Sequence, residues 1–239
     1  MILQAIKGKD FTGQNIYVGM DVHHKSWMIS IYSDEFELKT FSQTPDVDQL
    51  EKFLKKHYPG ANYRLAYEAG FCGFWIQRAF SSRGIDCRVI HPADIPGSDK
   101  EKKRKTDKVD SRKIARGLKN GDLNAIHIPE ESLEADRLVV RSRVKIIHDT
   151  TAVKNRIKAF LKIRGINIAD KFKTGKWSKS FIAWLYALPL TEPGDKIVLS
   201  TFLEELEFLI SKQKKLDLAI KSLSETQKYA TNMRLVVTI

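Results

Sequence analysis

Four carboxylates stand where this sequence can support chemistry. Asp21 ends the apolar run that starts at Asn15, and Glu68 ends another, Tyr63 to Tyr67. Asp107 and Asp110 lie at i and i+3, which puts them on one face of a helix. They are embedded in Lys103-Arg-Lys-Thr-Asp-Lys-Val-Asp-Ser-Arg-Lys113, an otherwise basic run. Taken singly, each acid reads as a turn former, a helix cap or a partner for the helix dipole. Brought together, four carboxylates repel and their pKa values rise, so they persist as anions only around a cation. Oxygen ligands favour Mg²⁺ or Mn²⁺. Two such ions about 3.5–4 Å apart clamp both sides of a phosphodiester.

The neighbouring residue types offer less. His23 and His24 follow Asp21 and read first as solvated turn residues, with contact to a phosphate or to the metal's outer sphere as the lesser alternative. Their spacing is not a zinc pattern. Cys72 and Cys87 are isolated, which excludes a disulfide scaffold and makes a reducing cytoplasm the expected compartment. Trp75, Trp177 and Trp184 read as core residues rather than base-stacking platforms. No Gly-rich phosphate loop is present, against a P-loop nucleotide hydrolase.

The elements that must carry these acids follow from periodicity. Asn15–Asp21 reads as a buried strand, and Trp27, Ile29 and Ile31 alternate with Met28, Ser30 and Tyr32 as a second, joined to it by a hairpin. Glu37 to Gln43 is a third strand, and Val47, Leu50, Phe53 and Leu54 keep helical spacing before Pro59-Gly60. A strand at Tyr63–Tyr67, a helix at Phe74–Ser82 and a strand at Asp86–Ile90 complete an α/β domain with a mixed sheet. Adjacent strand ends in such a sheet bring Asp21 and Glu68 to the edge where ligands bind. Residues 94–106 read as a charged loop, and Thr106 as the N-cap of a helix ending at Gly117 or Gly121.

The C-terminal part is helical. Ser132 to Arg164 carries the ladder Ile146, Thr150, Val153, Ile157, Phe160, Arg164, and Phe181–Leu190 is a short apolar helix. Phe202, Leu206, Leu209, Gln213, Leu216, Ile220 and Leu223 then step by four and three, as a coiled-coil seam does. Self-association through that seam is expected, with packing inside the same chain as the alternative. Met233 to Ile239 reads as the entrance to a further domain.

Charge names the partner class. The 239 residues hold 41 basic and 29 acidic side chains, a net +12. The excess is local: residues 1–99 have net charge −1, residues 100–164 +10 and residues 165–239 +3. A basic block beside acidic strand ends suits a polyanion. Lys105, Lys108, Arg112, Lys113 and Arg116 are the expected backbone contacts. No apolar run reaches the ~18 residues that span a bilayer, and Met1 to Asp10 lacks the apolar core of a signal peptide.

Tyr17-Val-Gly-Met-Asp-Val-His-His-Lys-Ser26, Tyr67-Glu-Ala-Gly70 and Lys105-Thr-Asp-Lys-Val-Asp-Ser-Arg112 together resemble the DEDD transposases of insertion sequence family 110, to which the Piv DNA invertases are close. Val153-Lys-Asn-Arg-Ile157 is similar to a helix that follows the catalytic domain in that family. The resemblance covers residues 15–165 well and the seam more loosely. It implies a RuvC/RNase H-like α/β fold over residues 14–128, a helical coiled-coil region over 129–232 and, at 233–239, the start of a C-terminal transposase domain. It also implies that Asp21, Glu68, Asp107 and Asp110 form a catalytic tetrad binding Mg²⁺ or Mn²⁺. Leu206, Leu209, Gln213, Leu216, Ile220 and Leu223 would assemble a dimer or tetramer. A serine nucleophile would come from the C-terminal domain, where no serine of this chain can be matched to it. DNA and a structured bridge RNA would be the partners, in a bacterial, nucleoid-associated setting.

Two other classes compete. One is a non-catalytic fragment that holds nucleic acid and oligomerises. The other, a sugar kinase or ATPase, needs glycines after the first-strand aspartate to admit phosphates, and Val22-His-His-Lys-Ser26 stands there instead.

Overall fold

The computed structural model describes residues 10–95, 106–168, 172 and 176–230. Lys105, most of the expected 94–106 loop and the segment 233–239 lie outside the described residues. The chain divides into two compact units, Met1–Ile128 and Pro129–Ile239.

The first unit is built on five strands: β1 (Asn15–Val22), β2 (Trp27–Tyr32), β3 (Glu37–Gln43), β4 (Asn62–Glu68) and β5 (Asp86–Ile90). Their spatial order is β3-β2-β1-β4-β5. The first three form an antiparallel meander, and β4 and β5 run parallel to β1. Helices α1 (Val47–His57) and α2 (Trp75–Ser81) intervene between strands, and α3 (Asp107–Asn120) follows β5. This mixed five-stranded sheet with flanking helices has the RuvC/RNase H-like architecture.

Strand alternation sorts the two faces. Ile16, Val18 and Met20 of β1 point into a core shared with Val47, Leu50 and Leu54 of α1 and Ile76 and Phe80 of α2. Tyr17 of β1, Ala66 of β4 and Ile90 of β5 point the other way, onto Ile114, Ala115 and Leu118 of α3. Each large apolar side chain so covered stabilises the fold by about 1.5–3 kcal/mol. Asp21 and Glu68 share the parity of Tyr17 and Ala66, so both acids lie on the α3 face. Trp75 departs from the core reading: it is 49% exposed, whereas its neighbour Trp27 is 1% exposed.

The second unit is helical: α4 (Glu131–Ile163), α5 (Lys179–Tyr186) and α6 (Pro193–Ser224). Ion pairs Arg164–Asp195, Arg156–Glu205, Arg143–Asp217 and Lys228–Asp136 advance on one side as they retreat on the other, so α4 and α6 are antiparallel. Val153, Ile157 and Phe160 of the expected ladder pack on Leu199, Leu203, Leu206 and Leu209 of α6 and on Phe181 and Leu185 of α5. Trp177 and Trp184 join this core around Phe181, with ring centroids 5.1 and 5.6 Å away. The upper part of the heptad seam, Leu206 and Leu209, is thus buried within the chain. Gln213, Leu216, Ile220 and Leu223 remain partly exposed.

Candidate metal centre

Asp21 is the seventh of the eight residues of β1 and pairs with Met28 across the hairpin. The turn that follows is closed by the His23 amide donating to the Ser26 carbonyl at 3.1 Å. On the other side, the β1–β4 ladder pairs Met20 with Tyr67. One further step sets Asp21 level with Glu68, the last residue of β4.

Helix α3 brings the other two acids. Its first turn is fixed by Thr106, whose side chain accepts from the Val109 amide, and its end by Gly121 in the left-handed region at φ 78°. Its middle lies directly on β1. A β-carbon built on Gly19 would come within 2.1 Å of the Ser111 carbonyl oxygen and 2.3 Å of the Ala115 nitrogen. Beside this contact the fully buried Ser111 and Ser30 hydroxyls bond at 2.8 Å. The helix is therefore seated by backbone-to-backbone packing and one buried polar bond, and its N-terminal turn overhangs the end of β1.

The result is a compact donor cluster. His23 Nε2 lies 3.3 Å from Asp21 Oδ2 and 3.5 Å from Asp107 Oδ1. Ligand atoms of Asp21, His23 and Asp107 all fall within 4.8 Å of one another. Burial pushes the Asp21 carboxyl above its ordinary value; His23 opposes this, and the charges of Asp107 and Asp110 add to it. Like charges forced together in a partly desolvated pocket are relieved by a cation. Clustered carboxylate oxygens of this kind suit a divalent cation, with the His23 imidazole beside them.

The expected residues divide by position. Asp21 and Asp107 meet. Asp110 lies one turn along α3, half-buried, with Lys113 Nζ 3.7 Å from its carboxylate. Glu68 is exposed at the neighbouring strand end. Glu68 and Asp110 stand outside the 4.8 Å cluster. His23 is inside it, although the sequence favoured a solvated turn. Only the approach of α3 reveals that contact, since Asp107 is remote in sequence. The basic residues also differ in situation. Lys108 and Arg116 are exposed. Arg112 donates from Nε and Nη2 to Glu37 Oε1 at 2.9 and 2.7 Å. Tyr32 and Thr40 donate to the same carboxylate.

The family of IS110-type DEDD transposases matches residues 18–164, which span β1 through the end of α4. The transposase for insertion sequence element IS1533 of Leptospira borgpetersenii is 28% identical over 220 residues, covering 90% of this chain and 63% of that protein. Putative transposase y4rJ of Sinorhizobium fredii (strain NBRC 101917 / NGR234) is 34% identical over 172 residues, covering 64% of this chain and 43% of that protein. Putative transposase y4qE of the same strain is 30% identical over 142 residues, covering 59% of this chain and 35% of that protein. The chain thus spans less than two thirds of the length of these curated relatives. With a match over more than half its residues, the chain belongs to the IS110-type DEDD transposase family.

Proposed function

We propose that this chain carries the metal-dependent phosphodiester chemistry of a transposase that cleaves and joins DNA strands during movement of an insertion sequence. The observation that carries the proposal is the convergence of Asp21 and Asp107, from a strand end and a helix start, on one cluster at the sheet edge. On this reading Asp21, Glu68, Asp107 and Asp110 form the ligand tetrad, and His23 holds the Asp21 and Asp107 carboxylates toward each other. A bound divalent ion supplies charge stabilisation at the scissile phosphate.

The chain's own residues do the rest by position. Asp21 is held by a strand paired on both sides, so its carboxylate moves little. Asp107 and Asp110 ride on a helix whose seat at Gly19 fixes their height above the strand end. Lys108, Lys113 and Arg116 offer cations along the same helix for the DNA backbone, and Lys105, which precedes it in sequence, is proposed to join them. Arg112 braces α3 through Glu37 and adds its charge to that face. The nucleophile is a serine of a C-terminal domain, and a structured RNA selects the DNA sites. Gln213, Leu216, Ile220 and Leu223 are the part of the seam left for a second copy.

The test is strand transfer by the full-length protein carrying Asp21→Asn or Asp107→Asn. Loss of cleavage and joining with DNA binding retained is expected. Wild-type strand transfer in either variant overturns the tetrad.

A further inference from the structure

The Asp21 and Asp107 carboxylates do not meet alone. His23 Nε2 lies 3.3 Å from Asp21 Oδ2 and 3.5 Å from Asp107 Oδ1. Among the described residues, Asp21, His23 and Asp107 are the one group of metal-ligating side chains whose ligand atoms all fall within 4.8 Å of one another. His24, the next residue in sequence, belongs to no such group among the described residues.

The backbone explains why His23 is in the group and His24 is not. Successive side chains at a strand end alternate between the two faces of the sheet. Asp21 and His23 are two residues apart and share a face, the one that carries α3. The last pair of the ladder is Val22 with Trp27, and the His23 amide still donates to the Ser26 carbonyl at 3.1 Å. Extended pairing therefore runs through His23, and the turn proper begins at His24.

The spacing suits ligands of a single ion. Adjacent ligands of an octahedral Mg²⁺, each about 2.0–2.1 Å from the ion, stand about 2.9 Å apart. The spans of 3.3 and 3.5 Å from His23 Nε2 are of that size and slightly wide for Mg²⁺. Donor chemistry points the same way. Mg²⁺ is hard, takes oxygen and gives up its water reluctantly. An imidazole nitrogen suits first-row transition ions, a series in which Mn²⁺ is the weakest binder.

Resting on the reading of these carboxylates as a divalent-ion site, we propose that His23 is itself a ligand of the ion, through Nε2, and that it makes the site select a first-row transition ion such as Mn²⁺ over Mg²⁺. His23 thus bridges the two acids before the ion enters and ligates it afterwards, as the neutral imidazole. Its side chain and that of Asp107 are 49% and 58% exposed, so the solvent side stays open to water or a phosphate oxygen.

The test loads the 239-residue chain with Mn²⁺ and reads directly bound nitrogen by pulsed electron paramagnetic resonance. Calorimetric titration with Mn²⁺ and with Mg²⁺ runs beside it. Nitrogen coupling is expected in wild type and in His24→Ala, and is expected to vanish in His23→Ala. His23→Asp, which offers oxygen in place of nitrogen, should keep the ion and lose the coupling. The ratio of Mn²⁺ to Mg²⁺ affinity should fall about tenfold in His23→Ala. If wild type binds Mn²⁺ without nitrogen coupling, or His23→Ala keeps the coupling, the ligand role falls and the carboxylate site stands. Equal weakening of both ions in His23→Ala overturns the selectivity. If wild type binds neither ion at millimolar concentration, the proposal and the divalent-ion reading fall together.

Discussion

Gly19 and Ser111 touch through their backbones: a β-carbon at Gly19 would lie 2.1 Å from the Ser111 carbonyl oxygen. No side-chain rotation relieves such a clash, because both partners are main chain. The glycine is required by close approach, since its backbone is ordinary strand. Gly19→Ala should therefore lift α3 from the sheet and move Asp107 and Asp110 away from Asp21. The expected destabilisation is at the upper end of overpacking costs, about 3 kcal/mol. Urea unfolding of the variant checks the magnitude. Metal affinity should fall with it, although no ligand has been changed.

The Glu37 carboxylate gives a pH-dependent handle on the same helix. Burial alone would raise its pKa, but hydrogen bonds from Thr40, Arg112 and Tyr32 outweigh burial and hold it below its ordinary value. A depressed folded pKa adds stability above the unfolded value of 4.5 and loses it as pH falls through the folded value. Glu37→Gln should thus lower thermal stability at neutral pH by an amount equivalent to about 1 kcal/mol. The gap between variant and wild type should close below pH 4.5. Parallel melting curves across the acid range check this; a gap that persists at low pH contradicts it.

In the helical unit, Leu203 is fully buried between α4 and α6, whereas Leu218 is 67% exposed. Leu203→Ala should cost about 2–5 kcal/mol, through lost burial and a cavity. Leu218→Ala should stay within about 0.5 kcal/mol of wild type. Chemical unfolding followed by helix content separates the two.

Much of this architecture was legible because its signals are local. The alternation in β2, the N-cap at Thr106 and the choice of Gly117 or Gly121 as the helix end are each written within a few residues; the structure selects Gly121. Asp21 and Glu68 were legible as strand ends for the same reason. What escaped depends on contacts distant in sequence. His23 bridges two acids only when α3 carries Asp107 to within 3.5 Å of it. Gly19 looks like any strand glycine until a helix lies on it. Trp75 has the composition of a core residue, yet its position on top of Trp27 leaves half of it in solvent. The heptad period of α6 was plain, but periodicity does not name the partner, and α4 of the same chain covers its first half.

His23 and Asp21 also predict a graded effect. The imidazole touches both carboxylates but is half exposed. His23→Ala should weaken divalent-ion binding by roughly tenfold, the lower range for residues that orient metal ligands. Calorimetric titration of Mn²⁺ into variant and wild type gives the ratio directly.

The central claim is that Asp21 and Asp107 form a preassembled cation site, and thermal stability measured with and without Mn²⁺ tests it most directly. Wild type, Asp21→Asn and Asp107→Asn should be compared in the same titration. Without metal, both variants should be at least as stable as wild type, because each removes a repulsion. With Mn²⁺ at about 100 times its dissociation constant, wild type should gain about 2.7 kcal/mol and the variants far less. An equal gain in all three proteins, or none in wild type, would contradict the account.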